Sequence, residues 1–169
     1  MSDSIRVDGE AYLALETVAE RLYRARIGEP RLAGAEELGA LLTEAAAGSD
    51  DGGGPSARFL LGEWTDVVDA WQLTDWPSYR DVPRLGRKTR LPEARRAALW
   101  AVFERLRSAL REHGLITRAE LATALAGRLR ADAVPLFDHV VVDEAQDMDV
   151  PQLRLLAALA GGRPNGLFF

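Results

Sequence analysis

Three consecutive valines, residues 140–142, are followed directly by two acids, Asp143 and Glu144. An unbroken β-branched run of this kind is typical of a strand that is buried in a parallel sheet. A strand is rigid, so it holds the carboxylates that follow it in fixed positions, as a metal ion and an activated water require. The run therefore predicts a strand that ends in two acids, which are either functional or ordinary loop or helix-cap residues.

The segment around this run predicts a strand–helix–strand unit. The first strand is predicted over residues 137–142, and Asp149 is predicted to cap a helix that reaches about Ala160. A glycine pair closes that helix, and the apolar residues 167–169 predict a second strand. This order of elements implies a right-handed parallel unit. Because the given sequence stops inside the second strand, we expect a truncated or excised segment with exposed sheet edges and faces.

The residues before this unit predict helices. Helical spacing of apolar residues favours helices over residues 10–26 (with Asp8 as N-cap), 35–47, 59–71 and 92–113. The third of these helices is predicted to bury Trp64 and Trp71, and the fourth Trp100. Thr74 or Asp75 is predicted to cap a short turn, and Thr117 to open the last helix of this part as a capping box with Glu120. The predicted fold is mainly α: a multi-helix lobe followed by the strand–helix–strand piece.

The composition excludes several classes of site. The sequence has no cysteine, which excludes disulfides, thiol catalysis and cysteine-based metal centres. Its two histidines are too few for a histidine-built metal site. The hydrophobic content of 47% and charged content of 28% are those of a soluble globular protein, and no apolar run is long enough for a membrane span. We therefore expect a cytoplasmic protein.

Charge is distributed unevenly along the chain. Residues 80–130 carry thirteen Arg or Lys and five acids, a balance of +8, whereas the remaining residues carry eight bases and twenty-one acids, a balance of -13. A basic middle in an acidic chain is typical of a nucleic-acid contact, although solvated helix faces would give the same pattern. The candidate phosphate contacts are Arg84, Arg87, Lys88, Arg90, Arg95 and Arg96. The neighbouring aromatics, Trp71, Trp76 and Tyr79, would either stack on bases or fill the helical core.

The string Asp143-Glu144-Ala145-Gln146-Asp147 resembles the Walker B motif of UvrD/Rep-type superfamily-one DNA helicases. The resemblance extends upstream, to the helical subdomain inserted in the first RecA-like domain of that family. It is carried there by Glu63-Trp64, Gln72-Leu73-Thr74, Trp76, Tyr79-Arg80, the Arg-rich helix and Gly114-Leu115-Ile116-Thr117.

The resemblance implies roles for individual residues. Asp143 corresponds to the Mg²⁺ ligand, and Glu144 to the acid that activates the attacking water, so that both belong to the ATP site. Gln146 corresponds to the residue that couples the nucleotide site to the DNA side, and Asp147 to a support of the local loop. The implied cofactors are ATP and Mg²⁺. The implied partners are DNA, single-stranded or at a junction with duplex, and the remainder of a helicase chain.

The resemblance also implies a division of the chain into three parts. Residues 1–56 form N-terminal helices and a Gly-rich linker, residues 57–134 the helical insertion, and residues 135–169 a partial RecA-like segment of a P-loop NTPase. These 169 residues contain no Gly-Lys-Thr phosphate loop. We therefore expect this chain alone to bind ATP weakly, and neither to hydrolyse it nor to unwind DNA.

Two other function classes are open at this point. One is a non-catalytic helical module that binds protein or DNA and carries a vestigial acidic motif. The other is a different ATPase family, against which the Gln146-Asp147 pair and the long helical insertion argue. Self-association through the incomplete sheet is a further expectation for either fragment or module.

Overall fold

Helices account for most of the fold. The computed structural model describes residues 14–47, 55–83, 91–132 and 136–169. Within them lie seven α-helices: α1 Leu15–Arg26, α2 Ala35–Ala47, α3 Ala57–Glu63, α4 Trp76–Asp81, α5 Glu93–Glu112, α6 Arg118–Asp132 and α7 Val150–Leu159. A π-helix, Trp64–Asp69, continues α3, and two short strands, β1 Val140–Val141 and β2 Leu167–Phe168, pair in parallel. The mainly helical fold predicted from the sequence is confirmed.

The predicted helix N-termini are confirmed by their hydrogen bonds. The side chain of Asp75 accepts from the Ser78 amide at 2.8 Å and so caps α4. Thr117 and Glu120 form the predicted capping box of α6: the Glu120 amide donates to the Thr117 hydroxyl at 3.0 Å, and the Thr117 amide to the Glu120 carboxylate at 2.9 Å. Asp149 caps α7 in the same reciprocal way. Such caps satisfy amides that a helix leaves without intrahelical partners.

The third predicted helix differs from the observed one. Regular α-helix stops at Glu63, the π-helix follows, and Gln72 has a left-handed backbone with φ of +51°. The wider π turn changes the angular spacing of the residues after Trp64, which stays buried, as predicted. Trp71 consequently lies 50% exposed, so its predicted place on the apolar side of a continuous helix is wrong. The N-terminal part of the first predicted helix, with Asp8, lies outside the described residues.

A first hydrophobic cluster joins α2, α3, the π-helix, α4 and α5. Its centre is aromatic: Tyr79 stacks on Trp100 with ring centroids 5.3 Å apart and meets Phe103 edge-on at 5.8 Å. The guanidinium of Arg107 lies 5.8 Å and 5.6 Å from the ring centroids of Trp64 and Trp100, within cation–π range. The predicted core positions of these two tryptophans are confirmed.

A second hydrophobic cluster joins α1, α6, α7 and the strands. Leucines at helical spacing on α6, Leu121, Leu125 and Leu129, pack there with Leu155 and Leu159 of α7. Helix α1, the first in the described part of the chain, therefore packs with the last elements.

The turn between α5 and α6 connects the two clusters. Leu115 is buried in the first cluster, and Ile116 packs against the second. The Ile116 amide donates to the Arg31 carbonyl at 2.9 Å, and the Ile116 carbonyl accepts from the Ala33 amide at 3.0 Å. Gly114 has φ of +65°, a conformation that favours glycine, and ends α5 as predicted.

A partly buried polar network fastens the π-helix to the start of α6. The Thr117 hydroxyl donates to the Asp69 carboxylate at 2.8 Å, and the Gln72 side-chain amide donates to the same oxygen at 2.9 Å. Glu120, which caps α6 through Thr117, adds a second carboxylate to this network. Burial raises the pKa of Asp69 to about 6, against opposition from the Thr117 hydrogen bond, and Glu120 contributes in the same direction as burial.

The sheet is shorter than predicted. Residues 137–139 precede β1 without joining it, because strand pairing is limited to the register Val140 with Leu167 and Val141 with Phe168. The parallel pairing itself is confirmed. Val140 and Leu167 pack on the second cluster, whereas Val141 is 79% and Phe168 46% exposed. The expected exposed sheet face is thus confirmed for these two residues.

Among the described residues, no helix is both long enough and apolar enough to cross a membrane.

The Asp69 network predicts a pH-dependent stability. The folded pKa of about 6 lies above the reference value of 3.8, so the folded state binds this proton more tightly. The protonated Asp69 carboxyl stabilises the fold fully below pH 3.8, and this stabilisation is lost as the pH rises through about 6. We expect Asp69→Asn to remove on the order of 1–2 kcal/mol from the pH-dependent part of the unfolding free energy.

Urea denaturation at a series of pH values measures this effect. Glu44→Gln, an exposed change on α2, is the control and is expected to leave the pH profile unchanged. A profile of Asp69→Asn that coincides with that of the parent protein would contradict the prediction.

Candidate functional site

Asp143 and Glu144 lie where β1 ends. Val142 directly before them is buried, and its amide donates to the Phe168 carbonyl at 2.9 Å, the last bond of the parallel pairing. Both acids are exposed to solvent. The exposed carboxylates directly follow a strand, as the sequence predicted, but the prediction that this strand is buried is wrong, because Val141 is 79% exposed.

Glu144 has a left-handed backbone, with φ of 56° and ψ of 40°. Residues with a side chain rarely adopt this conformation, and where they do the surrounding contacts must hold them. Its amide donates to Asp143 Oδ1 at 3.0 Å, and its carbonyl accepts from the Asp147 amide at 3.0 Å. The backbone is thus turned sharply at the second acid, a feature that nothing in the sequence predicted.

Gln146 contacts the second acid, Glu144. Its side-chain amide donates to the Glu144 carboxylate across a single 3-10 turn, Ala145–Asp147. Ala145, the first residue of this turn, and Met148, directly after it, pack against the second cluster. Because α7 contributes to that cluster, the turn is anchored to α7. Asp147 is exposed and supports the turn through its backbone amide.

The two acids fit one kind of metal site. Among the residues that the structure describes, no group of three or more His, Asp or Glu side chains is placed to hold a metal ion. Mg²⁺ is bound by one or two carboxylates together with waters and substrate phosphates, and does not need an all-protein cage. Asp143 and Glu144 match that requirement, whereas a zinc or calcium site would need more protein ligands.

The predicted phosphate-binding residues fall into two groups. Arg84, Arg87, Lys88 and Arg90 lie outside the described residues. Arg95 is exposed near the start of α5, but Arg96 is half-buried and donates to the Arg80 carbonyl, which fastens α5 to α4.

The aromatic residues near that segment differ in their accessibility. Tyr79 is fully buried, and its hydroxyl donates to the buried Glu63 carboxylate at 2.9 Å, so it belongs to the core and is closed to a base. Trp76 is half-buried beside Tyr79. Trp71 is half exposed and is the aromatic of this group that a base can reach.

Comparison of the chain with protein-family models, with curated proteins and with solved structures finds no match.

The strained backbone at Glu144 generates a prediction for stability. Glycine adopts a positive φ without steric cost, so Glu144→Gly is expected to be more stable than Glu144→Ala by about 1 kcal/mol. Both variants lack the carboxylate, so their difference isolates the backbone. Chemical denaturation measures it, and equal stabilities would show that the residue is not held in this conformation in solution.

Proposed function

We propose that this chain is part of an ATP-dependent DNA helicase similar to the UvrD/Rep type. The observation that carries the proposal is the Asp-Glu-Ala-Gln-Asp string at the end of a parallel strand. A capped helix and a second parallel strand follow it, which supports the idea of a piece of a RecA-like sheet. The helical residues 57–134 would then be the inserted DNA-contacting subdomain.

Each residue of the site has a defined task under this proposal. Asp143 would hold Mg²⁺, which when bound offsets the negative charge on the phosphates of ATP. Glu144 would accept a hydrogen bond from the attacking water. Gln146 donates to the Glu144 carboxylate, a contact that supports a role in orienting that carboxylate.

The site is one half of the machinery that ATP hydrolysis requires. Phosphates are held in P-loop enzymes by a loop with a Gly-Lys-Ser/Thr sequence, a motif that these 169 residues do not contain. The acids of this chain would therefore act only together with a phosphate loop and with a second RecA-like domain supplied from outside these residues.

A second candidate function is a non-catalytic interaction module with a vestigial acidic motif. The exposed apolar side chains of Val141 and Phe168, which are paired in the sheet, favour contact with another polypeptide. The two candidates differ in what the acids do, because only the helicase proposal requires Asp143 to bind a divalent cation.

Metal binding separates these candidates. Mn²⁺, a paramagnetic substitute for Mg²⁺, is expected to broaden the backbone amide NMR signals of residues 143–147, and excess Mg²⁺ to restore them. Asp143→Asn is expected to abolish the broadening, because it removes the charged ligand. Asp138→Asn, which changes an exposed acid before the same strand, is the matched control. Broadening that is absent, or that Asp143→Asn leaves intact, would favour the non-catalytic module.

DNA binding tests the helical part of the proposal. If the basic residues contact phosphates, changing Arg84, Arg87, Lys88 and Arg90 to Ala weakens binding to a single-stranded oligonucleotide. The slope of log K against log salt should fall by up to about 3, at roughly 0.7 per lost phosphate contact. Titrations by fluorescence anisotropy at several salt concentrations measure both quantities.

The control for this experiment is Arg24→Ala. Arg24 is a surface arginine on α1 that pairs with Glu29 at 2.8 Å, outside the basic stretch. It is expected to leave affinity and slope unchanged. Undiminished binding by the fourfold variant would refute the assignment of the basic stretch to DNA.

A further inference from the structure

Asn165 and Gly166 are the last two residues of the connection between α7 and β2. Asn165 is the only asparagine of the sequence, is exposed, and has a left-handed backbone with φ of 57°. The residue after it has no side chain, so nothing shields the Asn165 side-chain carbonyl from the following backbone nitrogen. This is the arrangement in which an asparagine cyclises most readily once its backbone is free to move.

Gly166 is held tightly in the folded chain. It is buried, its amide donates to the Arg163 carbonyl at 3.1 Å, and its carbonyl accepts from the Val140 amide at 2.8 Å. A Cβ at this position would lie 3.2 Å from the Arg163 carbonyl oxygen, closer than nearly all real contacts. A side chain here would need the Arg163 backbone to shift by a few tenths of an ångström, so packing favours glycine directly before β2.

We propose that Asn165 is a site of spontaneous deamidation and isomerisation, and that opening of the turn around Gly166 gates the reaction. The Gly166 amide must leave the Arg163 carbonyl and lose its proton. Its nitrogen then attacks the side-chain carbonyl carbon of Asn165, a C–N bond forms, and the side-chain nitrogen leaves as ammonia. Water adds to either carbonyl of the resulting cyclic imide and opens the ring to aspartate or isoaspartate.

The isoaspartate product would change the sheet. It places one extra carbon in the backbone immediately before Gly166, and so displaces the Gly166 carbonyl from the Val140 amide. The His139 ring nitrogen, 3.3 Å from the Asn165 carbonyl, would lose its contact as well. Since β1 leads directly to Asp143, this ageing reaction alters the strand that carries the acidic pair.

The test compares the reaction rate in the folded and the denatured chain. The purified protein is held at the same mildly alkaline pH with and without denaturant, and isoaspartate is quantified by mass spectrometry in the tryptic peptide that starts at Leu155. The folded chain is expected to react more slowly by about tenfold or more, because only the locally open state reacts. The ratio of the two rates should match the hydrogen-exchange protection of the Gly166 amide.

Two variants keep the test decisive. Asn165→Gln is expected to abolish the product, since a six-membered ring closes far more slowly. Pro164→Ala is expected to raise the rate of the folded chain alone, because it frees the backbone of the turn. This change also lets trypsin cleave after Arg163, so for this variant isoaspartate is quantified in the peptide that starts at residue 164. The pairs Asp8-Gly9 and Asp51-Gly52 form isoaspartate by the same route, and peptide mapping keeps them separate.

Equal rates in the folded and the denatured chain would overturn the proposal that opening of the turn gates the reaction. The absence of product in both would overturn the assignment of Asn165 as the site.

Discussion

The turn between α5 and α6 joins the two halves of the fold, and the hydrogen bond from the Thr117 hydroxyl to Asp69 fastens this turn to the π-helix. Leu115 of this turn is buried in the first cluster, and Ile116 packs against the second. Thr117 opens α6, and α6 packs on α7, which follows the acidic motif. The orientation of this one turn therefore determines where the strand–helix–strand piece lies relative to the helical lobe.

The turn that follows the acidic pair packs against the second cluster, to which α7 contributes. The turn that carries Gln146 is fixed between residues that pack on the second cluster, and the capping box of Asp149 starts the helix immediately afterwards. The amides of Glu144, Asp147 and Asp149 each donate to a partner close in sequence, which gives the stretch a defined shape although both acids are exposed. Local hydrogen bonds thus shape the motif, and leucine packing on α6 and α7 positions it.

Sequence reasoning succeeded where the determining contacts are local. The caps at Asp75, Thr117 and Asp149 each depend on a partner three residues away, and the length of α5 follows from its apolar spacing and from Gly114. The segment at the end of the third predicted helix makes a non-local contact instead, since Asp69 bonds Thr117, 48 residues away. The length of β1 is set by how many residues of β2 face it, and no pattern within residues 137–142 contains that information.

The open face of the sheet and the acidic pair are physically connected. A catalytic carboxylate must be held to a fraction of an ångström, which requires a rigid strand packed on both faces. β1 has two paired residues and is covered only on the side of Val140, while Val141 faces solvent. Under the proposed function, whatever covers Val141 and Phe168 would also immobilise Asp143. Completion of the sheet and completion of the metal site would then be a single event, since the same strand takes part in both.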